Sequence, residues 1–330
     1  MLSTTARYIL FLITTLFLHS LFPQNKITDE TALIVTVFDK GFFTEGPAYG
    51  PDGNVYFSDQ TFTQESGMIA GIIWKHDIRS GDNVVFRSPS GMSNGIEFDR
   101  NEDMIVCEGA DFGGRKIIRT DMRTGISKIV AGLYNNKPFN SPNDLVIDTQ
   151  NRIYITDPRY TGHEEITQPV FGVYRIDPSG EIVLLTGDIE MPNGLAISPD
   201  ESHLYIGCNF EGDDKKELDA QMCIYMFDLD ASGNLSNKKK FIEYPDEYGP
   251  DGLTVDKYGN LYVALRDENN PGIYVYDPSG SLIQTIPLPE VPSNCTFGRG
   301  KDKNILFITA GKSLYKIKTI TEGNLPDYEE

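Results

Sequence analysis

The chain has 330 residues, including 31 glycines and 19 prolines, and its 48 Asp and Glu outnumber 29 Lys and Arg for a formal charge of −19. This length suits one large all-β domain or two small ones, and the Gly and Pro content suits many short strands joined by turns. So acidic a balance excludes nucleic acid, whose phosphates need a basic surface, and disfavours anionic membranes, while it is compatible with a site that collects cations.

At the N-terminus Arg7 precedes an apolar run over residues 8–18, broken only by Thr14 and Thr15. The run matches the core of a secretory signal and falls short of the ~20 residues that span a bilayer. Residues 1–23 are therefore read as an export leader, with the cleavage point unassigned and an uncleaved anchor as the alternative. Residues 24–330 then form a single exported domain, periplasmic or secreted. Cys107, Cys208, Cys223 and Cys295 would allow a bridge in an oxidising compartment, Cys208 with Cys223 being nearest in sequence, or would be buried free thiols.

After a polar start from Gln24 to Thr31, ALIVTVFDK (Ala32 to Lys40) reads as a strand. Then one pattern recurs six times: GPAYGPDGNVYFSD from Gly46, NGIEFDRNEDMIVCEG from Asn94, and SPNDLVIDTQNRIYITDP from Ser141. NGLAISPDESHLYIG from Asn193, DGLTVDKYGNLYVAL from Asp251 and NCTFGRGKDKNILFITAG from Asn294 complete the set. Each copy places two runs of period-two alternation around a polar turn, which is a β-hairpin. The copies open on Glu45, Asn94, Asn143, Asn193, Asp251 and Asn294, at intervals of roughly 43 to 58 residues. A period of this order with several strands per unit is the signature of a propeller blade.

A further apolar strand precedes every copy, so a unit has four strands. In the fourth these are GLAIS, HLYIG, CIYMFDLD and KKFIEYP. The last unit has only three before the chain ends, and the strand it lacks is the one at the N-terminus. The fold class is therefore all-β, a six-bladed β-propeller whose ring is closed by the N-terminal strand, which leaves no open edge on the array. Residues 60–71, 109–115, 158–171 and 209–221 are longer links after second strands and are expected to wall one mouth of the channel.

In such a ring the residue opening each innermost strand faces the axis. The six positions hold one Glu, one Asp and four Asn, all oxygen donors with no thiolate or imidazole among them. A hard cation suits that set: Ca²⁺ foremost, with Mg²⁺, Mn²⁺ or Zn²⁺ as alternatives. Asn-Gly and Asp-Gly also serve simply as turns entering a strand, but six copies in register favour the metal reading.

The motifs TEGPAY at Thr44, SPNDLVID at Ser141, MPNGLAIS at Met191 and GPDGLTVD at Gly249 resemble the senescence-marker/gluconolactonase (regucalcin-like) family, six-bladed propellers with a divalent metal in the central channel. The resemblance covers roughly Thr44 to Ile317. It implies that Glu45, Asn193 and Asp251 ligate the metal, with Asn143 as a further ligand or a substrate contact. It also implies hydrolysis of lactones, typically aldonolactones. The metal would polarise the carbonyl as a Lewis acid, and Asp251 is the chosen base for the attacking water, with a nearby unligated carboxylate as its rival. Asn94, Asp144, Glu108, Arg159 and His163 complete the candidate substrate contacts, Asp144 also being placed to orient the preceding ligand. Animal-type members carry an Arg two residues before the third-repeat Asn, where this chain has Ser141. The expected partner is a small lactone or ester, with no membrane insertion once the leader is removed, and the protein is expected to be a monomer. The competing readings are an esterase or phosphotriesterase at the same cup, and a non-catalytic NHL-like propeller that binds a protein or glycan. No Gly-x-Ser-x-Gly elbow is present, which disfavours a serine hydrolase.

Overall fold

The computed structural model describes residues 26–63, 67, 69–210, 222–244 and 248–325. The leader expected over residues 1–23 lies outside these described residues, as do parts of the first and fourth wall links.

Strand β1 (Val35–Phe38) comes first. The first blade follows with β2 (Thr44–Tyr49), β3 (Val55–Asp59), β4 (Ile72–His76) and β5 (Asn83–Arg87). The second has β6 (Ser93–Phe98), β7 (Met104–Glu108), β8 (Lys116–Thr120) and β9 (Ser127–Ala131). A small hairpin that the repeat pattern did not anticipate, β10 (Leu133–Tyr134) with β11 (Lys137–Pro138), precedes the third blade. That blade consists of β12 (Leu145–Ile147), β13 (Ile153–Asp157), β14 (Gly172–Ile176) and β15 (Ile182–Thr186). The fourth has β16 (Pro192–Ile197), β17 (His203–Cys208), β18 (Cys223–Leu229) and β19 (Leu235–Glu243). The fifth has β20 (Pro250–Val255), β21 (Leu261–Leu265), β22 (Gly272–Tyr276) and β23 (Leu282–Pro287). The last has β24 (Pro292–Phe297), β25 (Ile305–Ala310) and β26 (Ser313–Lys318).

Each blade is a four-stranded antiparallel sheet, and in the sixth the outermost strand is β1, paired with β26 through Val35 and Lys316. The expected closure by the N-terminal strand is thus what the chain does. Inner strands are buried almost throughout and outer strands are not: β2 is buried at every position, whereas β5 is half-buried or exposed. That gradient is what a sheet standing edge-on to an axis should show.

The core is divided into six parts, each shared by two neighbouring blades. Tyr56 and Ile73 of the first blade pack with Ile96 and Val106 of the second, and Tyr262 and Val275 of the fifth with Phe297 and Leu306 of the sixth. Phe38, Phe57 and Phe307 seal the first blade to the sixth. No blade buries its faces alone, so the apolar burial that stabilises one is shared with its neighbours. All four cysteines are buried and free; Cys208 and Cys223 stand directly opposite each other on β17 and β18. No described helix is long and apolar enough to cross a membrane.

Candidate active site

Four of the inner strands, β2, β6, β16 and β20, begin one residue before the residue that opens the copy, and each carries an irregularity there. In β2 the pairing with β3 passes from Glu45 opposite Ser58 to Ala48 opposite Tyr56, so the inner strand holds one extra residue. The same excess occurs in β6 between Ser93 and Ile96, in β16 between Pro192 and Leu195, and in β20 between Pro250 and Leu253. These are β-bulges, which bend a strand locally and re-aim a side chain. Glu45, Asn94, Asn193 and Asp251 sit at these bulges. Asn143 has no strand of its own, but its N–H donates to the Thr156 carbonyl at 2.9 Å and keeps it in the equivalent place.

The glycine after Glu45, Asn94, Asn193 and Asp251 has a reason other than turn formation. A Cβ on Gly46 would stand 2.1 Å from the Asn94 carbonyl oxygen, and Gly46 itself has φ +42°. A Cβ on Gly194 would stand 2.2 Å from the Asp251 carbonyl oxygen. The missing side chains let neighbouring inner strands close around the axis.

Glu45, Asn94, Asn143, Asn193 and Asp251 thereby line one cavity of about 220 Å³. Phe43, Phe62, Met92 and Tyr160 supply its apolar wall, and Arg266, at the end of the second strand of the fifth blade, is its one described cation. Gln60, Ala110, Thr161 and Asn209 come from the four long links, so those links do wall this mouth. Tyr160 is fixed by donating its hydroxyl to the Asn209 carbonyl at 2.8 Å.

The electrostatics disfavour two free carboxylates side by side in this recess. Burial pushes the Glu45 carboxyl well above its usual range, and the charges of Asp251 and Asp144 push it further; the Gly46 N–H and Arg266 oppose this only in part. Asn94 Oδ1 is buried and accepts no hydrogen bond. Two carboxylates and three amide oxygens in one recess match the oxygen preference of Ca²⁺. No group of three or more His, Cys, Asp or Glu with metal-holding geometry occurs among the described residues, so a cation held here would need the amide oxygens as well.

A family model for the SMP-30/gluconolactonase/LRE-like region matches residues 43–312. The chain belongs to that family. It is 32% identical to the gluconolactonase of Zymomonas mobilis over 91% of this chain and 85% of that protein. It is 25% identical to the lactonase drp35 of Staphylococcus epidermidis over 77% of this chain and 72% of that one. Among solved structures, a gluconolactonase from Xanthomonas campestris superposes with a TM-score of 0.74 at 29% identity, covering 89% of this chain and 91% of that chain.

Within the family framework, the other expected contacts lie elsewhere. Asn294, the sixth ring position, turns away and donates to Asp144 Oδ2 at 3.3 Å. Both line a larger cavity of about 760 Å³ formed by the far ends of the inner strands, at the opposite mouth. Asp144 is enclosed there, and burial raises its pKa to about 7 against the N–H groups of Leu145 and Leu195 and the Asn294 amide. Glu108 pairs with Lys116 at 3.2 Å. The Arg159 guanidinium donates to the carbonyls of Asn140 and Glu164, both at 2.6 Å, and so braces its own loop. His163 is 56% exposed, 3.5 Å from Asp111. None of these lines the cup. Their residue types suit substrate binding, but an ion pair holds Glu108 at the end of β7 and hydrogen bonds hold Arg159 in its link. Arg266, which does line the cup, was missed: it occurs once and belongs to no repeat.

Proposed function

We propose that this protein is a metal-dependent lactone hydrolase that opens its substrate ring at the cup. The observation that carries the reading is the convergence of Glu45 and Asp251 with Asn94, Asn143 and Asn193 on one small recess, in a chain 32% identical to a gluconolactonase. Glu45, Asn193 and Asp251 would hold a divalent cation, Ca²⁺ foremost, with Asn143 as a fourth ligand, and the cation would act as a Lewis acid towards the lactone carbonyl.

The chain's own groups divide the remaining work. The Asp251 carboxylate takes a proton from the water that adds to the carbonyl carbon. The ring C–O bond then breaks, and the proton passes to the departing alkoxide oxygen. The balance is lactone plus water to a hydroxycarboxylate and a proton. Asn94 Oδ1, buried and unpartnered, accepts from a substrate hydroxyl. Phe43, Phe62 and Tyr160 exclude water from the ring face, which strengthens every polar contact beneath them. The aromatic wall also supports a second reading, an aryl or alkyl ester hydrolysed at the same cup.

The test is hydrolysis of a panel of aldonolactones, aliphatic lactones and aryl esters by metal-stripped protein resupplied with Ca²⁺, Mg²⁺, Mn²⁺ or Zn²⁺. Metal-restored lactone turnover, lowered in Asp251→Ala by about 10³-fold or more, is the expected result. Tight metal binding with no turnover of any lactone would sink the reading. N-terminal sequencing of the mature protein would test the associated proposal that residues 1–23 are removed on export.

A further inference from the structure

We infer that Cys208 and Cys223 are joined by a disulfide in the mature protein, and that the bridge ties together the two ends of the fourth wall link of the cup. The inference is independent of the hydrolase reading and needs only an oxidising compartment, where such bonds form and persist. Cys208 ends β17 and Cys223 opens β18, so the two sulfurs stand where the sheet gives way to the link. The first residue of that link, Asn209, lines the cup, and its carbonyl accepts the Tyr160 hydroxyl at 2.8 Å. A covalent tie one residue before Asn209 would fix the point from which this part of the wall departs.

The strand register carries the inference. Pairing runs unbroken from His203 opposite Asp228 to Cys208 opposite Cys223. One step before it, the Leu229 N–H donates to the Ser202 carbonyl at 2.8 Å, and hydrogen-bonded pairs recur at every second position of an antiparallel ladder. Stepping by twos from Ser202 and Leu229 arrives at Cys208 and Cys223. The Cα atoms of such a pair lie about 5.5 Å apart, inside the roughly 4.4–6.8 Å that a disulfide spans. Residues directly opposite share a face of the sheet, and both cysteines are buried in one cluster with Val173 and Leu195. Contact between the thiols holds Cys223 below the usual thiol range and pushes Cys208 above it. The Cys208 thiol reaches Glu190 Oε2 only at 3.9 Å, too far to hold it against a covalent partner. Cys107 on β7 donates to the Asp144 carbonyl at 3.7 Å, and Cys295 lies on β24. Each packs in a different cluster from the pair, which leaves one pairing among the four. The bond forms as the chain folds, before the third and fourth blades close over the sulfurs. One protein thiolate attacks an external disulfide such as oxidised glutathione and expels a glutathione thiolate. The second then attacks the mixed disulfide and expels the other, so two protein thiols are oxidised while one glutathione disulfide is reduced to two thiols, which take up both protons.

The test synthesises the full chain cell-free, once with oxidised and reduced glutathione and once with dithiothreitol, and counts thiols in the denatured products by alkylation and mass spectrometry. The glutathione product should keep two of its four thiols and yield a single linked pair of peptides, one carrying Cys208 and the other Cys223. The dithiothreitol product should keep all four. Closing a loop of roughly 15 residues should raise the melting temperature of the bridged protein by roughly 3–8 °C over the reduced one. Cys107→Ala should retain both the bridge and the difference in melting, and Cys208→Ser should lose both. Four thiols in the glutathione product, a bridge through Cys107 or Cys295, or glutathione left attached to Cys208 or Cys223 would overturn the inference. The wild-type count decides even if a variant fails to fold. A bridge that leaves the melting temperature unchanged would overturn its bracing role.

Discussion

Asp59 and Asp157 end the second strands of the first and third blades, and neither lines the cup. Asp59 Oδ1 accepts from the N–H groups of Phe42 and Phe43 at 2.7 and 3.0 Å, while its Oδ2 accepts from the Trp74 indole at 3.0 Å. Asp157 accepts from the N–H groups of Asn140 and Ser141 at 2.8 and 2.7 Å. Each clamps the turn that delivers a site residue: Glu45 in one blade, Asn143 in the other. Burial pushes the Asp157 carboxyl up to about 8, despite those two donors and the nearby Arg115 and Arg159. The folded state thus holds a proton that the unfolded chain releases near pH 3.9. The resulting stabilisation is complete below that value and is lost as pH rises through about 8. Melting temperature measured between pH 5 and 9 should therefore fall, and Asp157→Asn should flatten the profile. The variant should start lower by about 1–3 kcal/mol, because an amide has one acceptor oxygen for two N–H donors. An equally steep profile in the variant would assign the slope to other groups. At this scale the sequence was legible wherever a residue recurs. Glu45, Asn94, Asn143, Asn193 and Asp251 could be found because the repeat sets them in register. Arg266 appears once, and its importance depends on which way a strand end faces.

Among the elements, the inner strands decide the site. Period-two alternation located almost all of them, yet the extra residue in β2, β6, β16 and β20 could not be read. Alternation simply resumes after a bulge, and only the partner strand reveals the excess. Nor did the pattern show why glycine follows Glu45, Asn94, Asn193 and Asp251, since a turn and a close approach of strands leave the same letter. The distinction has a measurable outcome. Gly194→Val would drive a side chain into the Asp251 carbonyl, 2.2 Å from where even a Cβ would lie. It should cost about 3 kcal/mol or more in denaturant unfolding and should weaken Ca²⁺ binding together with stability. If glycine served only as a turn residue, Ca²⁺ affinity would be preserved in the folded fraction.

At the scale of the molecule, the ring is a chain of six shared interfaces, so its stability depends on the joint where first and last strands meet. Phe38 on β1 is almost fully buried, its ring 5.1 Å from that of Phe57 and 4.9 Å from that of Trp74. Phe38→Ala should cost about 3–5 kcal/mol and lower the melting temperature by roughly 5–10 °C. The count of strands was sufficient to foresee this joint, because a six-fold pattern with three strands in its last unit has one place for the unpaired strand. A melting temperature unchanged within error would mean that β1 contributes little to closure.

Pairing between Val35 and Lys316 also sets an order of events during synthesis. The strand that leaves the ribosome among the first has no partner until nearly the whole chain has followed it. Five blades can assemble from local hairpins as they emerge, but the last sheet waits until β26 has been made. Until then Val35 to Phe38 is an exposed β-edge that can pair with another chain. Slowing elongation near the C-terminus should thus increase aggregation of the nascent protein, whereas the same delay near the middle of the message should not.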